Sequence, residues 1–300
     1  MTLAAYGLTD VGRKRRHNED AYLLDVERGL FVVADGMGGH AAGEVASKIT
    51  VESIQEFIAG TEDDHENTWP FGFNNRYSME GNRLTTAVEK ANERVMRAVQ
   101  NRPELKGMGT TVVAALFERS RVTLVHVGDS RAYMVRGREM RRLTDDHSWV
   151  QEQVNAGILT PDEAMTHPLK NVVTRALGGS AQVSPDLVEI PLQLGDRFLL
   201  CSDGLTGMVS DEEIVERLSE AGPLEKTVRG LVDAANEKGG TDNITAIVVE
   251  VRDAGGASVR AAAEPSRLTT DVSATISLDI GGAAGPAAPA DPGSSRTPRA

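Results

Sequence analysis

The sequence predicts an α+β fold in which antiparallel sheet is covered on its outside by helices. Short β-branched runs bounded by turn residues are typical of strands, and three of them follow closely between residues 110 and 136. Tight turns join antiparallel neighbours, whereas parallel neighbours need a long crossover. Helical segments precede and follow these strands instead of alternating with them, which disfavours a doubly wound parallel sheet.

Six strand signals and four helix signals can be placed along the chain. The strand signals cover residues 30–35, 110–117, 122–127, 132–135, 197–201 and 243–251. Apolar steps of three and four residues predict helices after Gly43 and at 84–99, 211–220 and 223–238. Ser210 and Glu213 form a capping-box pattern at the start of the third helix, and Pro223 starts the fourth.

Composition indicates a globular protein that acts away from nucleic acid and membranes. The chain has 300 residues, 40% hydrophobic and 25% charged, with a net charge of −12 that disfavours binding to DNA, RNA or anionic lipid. No run approaches the ~20 apolar residues of a membrane span, and the first residues do not form a signal peptide. The single cysteine, Cys201, excludes an intrachain disulfide and fits a reducing cytoplasm. We expect a cytoplasmic monomer.

The texture of the sequence changes near residue 253. Before it, apolar runs alternate with amphipathic segments; after it, Ala, Pro, Gly and Ser dominate. Such a segment has too little apolar bulk to offset the entropy lost on ordering. We therefore predict one folded domain over residues 1–252 and a disordered tail over residues 253–300.

Carboxylates recur where apolar strands end or begin. In chain order they are Glu19, Asp20, Asp35, Asp129, Asp203 and Asp242. A single Asp-Gly sequence is usually an ordinary turn. A rigid sheet can nevertheless bring several strand ends together, and converging carboxylates repel each other unless a cation lies between them. No CxxC or HExxH pattern occurs, so the donors would be oxygen only, which favours Mg²⁺, Mn²⁺ or Ca²⁺ over zinc or copper.

Two further features bear on the chemistry of this cluster. The basic run 13–16 is either a solvated turn or, through Arg15, a fork for two phosphate oxygens. The glycine-rich stretch 35–44 fits neither the P-loop nor the dinucleotide pattern, so it favours close backbone approach to an ion over nucleotide binding. Together these features suggest metal-assisted phosphoester chemistry.

Eight short motifs stand in a recognisable order along the chain. They are Asp10-Val11-Gly12 through Arg15 to Asn18-Glu19-Asp20, Val33-Ala34-Asp35-Gly36-Met37-Gly38-Gly39-His40, Gly109-Thr110-Thr111, Val127-Gly128-Asp129-Ser130-Arg131, Leu143-Thr144 with Asp146-His147-Ser148, Arg175-Ala176-Leu177-Gly178, Ser202-Asp203-Gly204 and Gly240-Thr241-Asp242-Asn243. In this order they resemble the metal-dependent Ser/Thr protein phosphatases of type 2C, the PPM family, in its bacterial form. One motif would be weak evidence; eight in order, over roughly residues 5–251, are strong.

The resemblance implies a four-layer α-β-β-α sandwich of two antiparallel sheets flanked by helices. It also implies two Mn²⁺ or Mg²⁺ ions at one edge of the sandwich, and a third ion in bacterial relatives. By motif position, the implied ligands are Glu19, Asp35, the Gly36 carbonyl, Asp203 and Asp242 for the pair, and Asp129 with Asp203 for the third ion. Asp35 would bridge the pair, Asp20 would orient the attacking water, and Arg15 would hold the phosphoryl oxygens.

The implied activity is hydrolysis of phosphoserine and phosphothreonine on proteins by water that two metal ions activate. The partners would be phosphorylated proteins, including a Ser/Thr kinase and its substrates. Residues 147–175 resemble the flap that shapes substrate access in the family. A catalytically silent phosphopeptide-binding module on the same fold is the alternative, although such modules typically lose metal carboxylates that are all present here. A nuclease is a further alternative, which the net charge of −12 disfavours.

Overall fold

The computed structural model describes residues 2–38, 42–61, 72–118 and 120–252, which form strands and helices in the following order. The strands are β1 (Thr2–Asp10), β2 (Asp20–Asp25), β3 (Leu30–Met37), β4 (Gly109–Thr110), β5 (Val112–Glu118), β6 (Arg121–Val127), β7 (Arg131–Arg136), β8 (Glu139–Arg142), β9 (Asp186–Pro191), β10 (Arg197–Cys201) and β11 (Ile244–Arg252). The helices are α1 (Ala42–Gly60), α2 (Met79–Asn101), α3 (Trp149–Asn155), α4 (Pro161–Thr166), α5 (Asp203–Thr206), α6 (Asp211–Ser219) and α7 (Leu224–Glu237). The predicted tail, 253–300, lies outside the described residues.

The strands form two sheets with antiparallel pairing throughout. One sheet has the order β1-β11-β10-β7-β8; the other has the order β2-β3-β5-β6-β9, with β4 paired to β3. The expectation that all the strands between 110 and 136 pair as hairpins is wrong at one turn. β5 and β6 pair, but β6 and β7 belong to different sheets, so the turn 128–130 crosses between the sheets. The connection from β1 to β2 crosses in the same way.

The period-two alternation of strand side chains divides the core into three apolar layers. On β3, Phe31 and Val33 face the other sheet, whereas Leu30 and Val32 face α1 and α2. On β10, Phe198 and Leu200 face the other sheet, whereas Leu199 and Cys201 face α5, α6 and α7. These layers confirm the four-layer arrangement of helices, sheet, sheet and helices.

Three phenylalanines lie in the layer between the sheets, one on each of three strands. The rings of Phe31 and Phe117 lie 5.5 Å apart at 86°, and those of Phe117 and Phe198 lie 5.2 Å apart at 84°. This edge-to-face geometry adds aromatic attraction to the burial of apolar area. The contact fixes the two sheets against each other, and with them the strand ends described below.

The predicted helices are present, and their termini follow the sequence signals. The Ser210 hydroxyl accepts the backbone N–H of Glu213, whose side chain returns to Ser210, so the predicted capping box is confirmed. Pro223 is the N-cap of α7. The structure adds helices α3 and α4 between residues 147 and 175, which carried no clear periodic signal. Within the described part of the chain, no helix combines the length and the hydropathy needed to cross a bilayer.

Candidate metal centre

The predicted acidic residues come together at the end of the sandwich where the chain crosses from one sheet to the other. Glu19 ends the β1–β2 connection, Asp129 lies in the β6–β7 turn, and Asp35 lies near the end of β3. Asp203 directly follows β10 and Asp242 closely precedes β11; since these two strands are antiparallel neighbours, both residues lie at the same end of the sheet. Strands from both sheets thus contribute to one cluster.

Asp20 is buried and anchored by two hydroxyl groups. It stands directly opposite Asp35 in the β2–β3 register. Its Oδ2 accepts hydrogen bonds from Ser202 Oγ at 2.8 Å and Thr245 Oγ1 at 2.6 Å. Its Oδ1 is buried and has no hydrogen-bond partner among the described residues. Burial raises the pKa of Asp20 to about 7 against the effect of the two hydroxyls, and neighbouring carboxylates add to the rise.

Asp35, Asp129 and Asp203 also resist ionisation. Burial, and then repulsion from Asp20, Asp203 and Asp129, raise the pKa of Asp35 well above its ordinary value. Burial raises the pKa of Asp129 to about 7, with Asp203 as the next cause. The pKa of Asp203 is raised chiefly by burial, and its Oδ1 is buried without a partner in the part of the chain described here. Charge of the opposite sign is therefore needed for all of them to ionise together.

Two glycines bring the start of α1 against the end of β3. A Cβ on Gly36 would lie 2.1 Å from the carbonyl oxygen of Gly43 and 2.5 Å from that of Glu19. A Cβ on Gly43 would lie 2.7 Å from Glu19 Oε1. No side chain larger than hydrogen fits at either position without moving backbone. This contact places the Glu19 carboxylate beside the Gly36 backbone; burial raises the pKa of Glu19, although Arg15 and the Gly43 N–H oppose the rise.

Arg15 lies at the solvent-facing rim of the cluster. Its Nη2 donates to Asp242 Oδ2 at 2.7 Å, and its Nη1 lies 4.0 Å from Glu19 Oε2. The side chain is 47% exposed, so part of the guanidinium still faces solvent. The structure therefore brings every predicted site residue to one end of the sandwich, with the Arg15 guanidinium at the solvent-facing rim.

Three polar residues that the sequence analysis did not single out support the cluster. Ser202 and Thr245 hold Asp20, and Asn243 Oδ1 accepts the backbone N–H of Glu19 at 2.9 Å. Ser202 and Asn243 stand beside Asp203 and Asp242 in the motifs, and that adjacency was a usable signal. Thr245 carried none, because only the pairing of β11 places it near Asp20.

A second group of potential ligands lies outside this cluster. His126, His147 and Asp186 offer donor atoms within 4.8 Å of one another. The backbone N–H of Gly128 donates to His147 Nδ1 at 3.1 Å, which places the proton of the neutral ring on Nε2, and Nε2 faces Asp186 Oδ2 at 3.2 Å. A protonated Nε2 has no lone pair for a metal. This group is therefore a hydrogen-bonded assembly, and the candidate centre remains the oxygen-only cluster.

Comparison with known proteins identifies the family. A family model described as Protein phosphatase 2C matches residues 12–248. The chain belongs to the protein phosphatase 2C family. It is 38% identical over 249 residues to the serine/threonine phosphatase stp of Listeria innocua, covering 81% of this chain and 93% of that one. It is 40% identical over 245 residues to the serine/threonine protein phosphatase PstP of Mycobacterium tuberculosis, covering 82% of this chain and 44% of PstP.

Solved structures of related phosphatases share the fold. The Mycobacterium tuberculosis serine/threonine phosphatase PstP/Ppp superposes with a TM-score of 0.75 at 38% identity, covering 84% of this chain and 100% of that one. The catalytic domain of PstP in complex with two manganese ions superposes with a TM-score of 0.72 at 37% identity, covering 84% and 99%. The predicted family and the predicted sandwich of the protein phosphatase 2C enzymes are both confirmed.

Proposed function

We propose that this protein hydrolyses phosphoserine and phosphothreonine on other proteins at a centre of two divalent metal ions. The observation that carries the proposal is the convergence of four mostly buried aspartates whose pKa values are raised and whose buried oxygens include two without partners in the described chain. The family membership and the manganese-bound PstP catalytic domain support it. A silent phosphopeptide-binding module is disfavoured, since no carboxylate of the cluster is replaced.

The donor set fits Mn²⁺ or Mg²⁺. The residues that would hold the ions are Glu19, Asp35, the Gly36 carbonyl, Asp203 and Asp242, and Asp35 would contribute to both ions. All the donors are oxygens, as these hard cations prefer. We also propose a third position at Asp129 and Asp203, because burial raises the pKa of both carboxyl groups and repulsion from Asp203 adds to the rise at Asp129. When bound, the ions would supply positive charge that ionises the carboxylates and makes the attacking water more acidic.

The chain's own groups position the substrate and the water. The exposed side of the Arg15 guanidinium would bind two phosphoryl oxygens and stabilise their charge as the phosphoester bond breaks. Asp20 is held at Oδ2 by Ser202 and Thr245, which leaves Oδ1 to accept a hydrogen bond from the attacking water. The two hydroxyl groups that bond Oδ2 therefore fix the orientation of the carboxylate and the direction in which Oδ1 points.

The proposal extends to the partners and the place of action. We propose that the substrates are phosphorylated proteins, including a Ser/Thr kinase and the proteins which that kinase phosphorylates. The buried Cys201 and the absence of any second cysteine fit a reducing compartment, so we place the activity in the cytoplasm. We further propose that the enzyme acts as a monomer and that residues 1–252 form the catalytic domain.

The proposal is tested with three peptides of one sequence carrying phosphoserine, phosphothreonine or phosphotyrosine. Phosphate release by the full chain is measured with Mn²⁺, with Mg²⁺ and with EDTA. We expect release from the first two peptides with metal, little from the third, and none in EDTA. Release that EDTA does not change would overturn the metal mechanism. Binding of the phosphopeptides without release under any condition would favour the silent module.

A further inference from the structure

The turn that presents Asp129 is unusually constrained. It crosses between the sheets, and its first residue, Gly128, has φ +108, a conformation that favours glycine. A Cβ at Gly128 would lie 2.6 Å from the Cβ of Thr111. On the same side, the Thr111 hydroxyl shares a hydrogen bond of 2.7 Å with Ser130 and accepts the backbone N–H of Asp35 at 3.1 Å. One face of the turn is thus tied to the strand that carries Asp35.

His147 holds the opposite side of this turn through two contacts with one residue. Its backbone N–H donates to the carbonyl of Gly128 at 2.9 Å, and its ring Nδ1 accepts the N–H of Gly128 at 3.1 Å. The residue is 3% exposed, and its ring stacks on that of His126 with centroids 4.6 Å apart. Gly128 therefore has its N–H paired with a side chain rather than with a strand or with water.

The neighbours of His147 select the ring tautomer that this pairing needs. Nδ1 faces an N–H group, so it must carry the lone pair, and the proton lies on Nε2. The Nε2–H group then donates a hydrogen bond to Asp186 Oδ2, which lies 3.2 Å from Nε2. Asp186 is in turn held by Arg175 at 3.0 Å. Burial lowers the pKa of His147, which agrees with a neutral ring.

We infer that His147 is a positioning residue for Asp129: through its Nδ1 it fixes the Gly128 N–H and so sets where the turn presents the Asp129 carboxylate to a divalent cation. The inference rests on the role proposed above for Asp129. Asp129 directly follows Gly128, so a change in the orientation of the Gly128 peptide plane moves the Asp129 carboxylate. Loss of the Nδ1 acceptor would also leave a buried N–H without a partner, which the turn can relieve only by shifting.

Two substitutions of similar polarity separate this role from general packing. His147→Asn places an amide oxygen near the position of Nδ1 and gives up the reach to Asp186. His147→Gln places its amide near Nε2 and gives up the acceptor for Gly128. Mn²⁺ binding to the full chain is measured by titration calorimetry for the wild type, both variants, Asp129→Asn and the double variant His147→Gln/Asp129→Asn. Melting in EDTA confirms that each protein is folded.

We expect His147→Gln to weaken the lowest-affinity class of Mn²⁺ site about tenfold and His147→Asn to stay within about threefold of wild type. In the Asp129→Asn background, His147→Gln should add no further loss, because the group that it positions is absent. The inference would be overturned if His147→Asn weakened this Mn²⁺ site as much as His147→Gln does, or more. It would also be overturned if His147→Gln weakened Mn²⁺ binding about tenfold in the Asp129→Asn background. If Asp129→Asn itself binds Mn²⁺ as wild type does, the Asp129 site fails, and the inference fails with it. The two-ion phosphatase proposal would then still stand on its own phosphate-release assay.

Discussion

At the scale of single residues, the site depends on side chains that are costly to bury together. Burial raises the pKa values of Asp20 and Asp129 to about 7, and burial together with repulsion from three other carboxyl groups raises the pKa of Asp35 well above its ordinary value. A folded core does not keep such a cluster for stability, because apolar residues of similar size would pack there without repulsion. The divalent cations proposed above would provide the compensating charge.

The sequence predicted these carboxylates because acidic residues at the ends of apolar strands are visible in a linear pattern. It did not predict the residues that orient them. Ser202 and Thr245 meet Asp20 from positions that are 182 and 225 residues away along the chain. His147 meets Gly128 only because the chain returns to the turn after β8. Contacts of this kind depend on the pairing of distant strands, which local spacing does not encode.

Replacement of Arg15 by alanine tests phosphate binding at the rim. Since the Arg15 side chain is about half exposed and its ion pairs are screened by solvent on that side, Arg15→Ala should leave the melting temperature within about 2 °C of wild type. Loss of charge-assisted hydrogen bonds to phosphate should lower kcat/KM roughly 10- to 100-fold, mainly through KM.

The matched control is Arg16→Ala, which removes the neighbouring exposed cation and should change kcat/KM less than about twofold. Steady-state kinetics on a phosphothreonine peptide measure both. An Arg15→Ala protein with unchanged KM, or an equal effect of both substitutions, would show that Arg15 acts only as part of a general positive field.

At the scale of elements, strands with strong apolar runs and helices with clear periodicity were predictable, and their register and sheet membership were not. β6 and β7 look like a hairpin in the sequence, yet they lie in different sheets because the Gly128 turn carries the chain across. β9 was missed because Glu189 interrupts its apolar run; that side chain accepts hydrogen bonds from Ser78, the N-cap of α2. The crossing turns, which the sequence could not locate, carry Glu19 and Asp129.

Helix α2 contains a carboxylate whose burial makes stability depend on pH. Burial raises the pKa of Glu89 to about 7, and Glu93 one turn later adds repulsion. Because the folded-state pKa lies above the unfolded-state value, the folded protein binds this proton more tightly, and stability is lost as pH rises from about 4.5 through 7. Glu89→Gln should therefore stabilise the protein at pH 8 by about 1 kcal/mol, after discounting for partial exposure, and change little at pH 5.

Thermal melting of Glu89→Gln and wild type at the two pH values measures this difference. The control is Glu216→Gln, an exposed carboxylate on α6, which should leave the melting temperature nearly unchanged at both. Equal effects of Glu89→Gln at pH 5 and pH 8 would mean that charge burial at this position does not determine stability.

At the scale of the whole molecule, the two sheets act as a rigid frame for residues that are far apart in sequence. The three apolar layers fix the strands of the two sheets against one another, and the carboxylates lie at the strand ends and in the turns between the strands. The sequence predicted this architecture through the order of eight motifs rather than through local propensity. Propensity alone indicated antiparallel sheet with outer helices and left the number of sheets open.

Removal of residues 253–300 tests the predicted domain boundary. The cluster and the strands that carry it lie before residue 253, so the shortened protein should hydrolyse a small aryl phosphate with kcat/KM within about twofold of the full chain. Initial rates at several Mn²⁺ concentrations measure this. A loss above tenfold, at unchanged melting temperature, would show that the tail takes part in the site.

The most direct test of the central claim, that the carboxylate cluster is the two-metal centre of a phosphatase, combines Mn²⁺ binding and turnover on one sample. Bound Mn²⁺ and phosphate release from a phosphothreonine peptide are measured for the wild type and for Asp35→Asn. We predict at least two ions and metal-dependent release for the wild type. Asp35→Asn should melt no lower than wild type in EDTA, because the neutral amide replaces a carboxyl group whose ionisation burial and repulsion oppose, yet lose tight Mn²⁺ binding and roughly 10³-fold in turnover. An Asp35→Asn protein that binds Mn²⁺ and releases phosphate as wild type does would contradict the account.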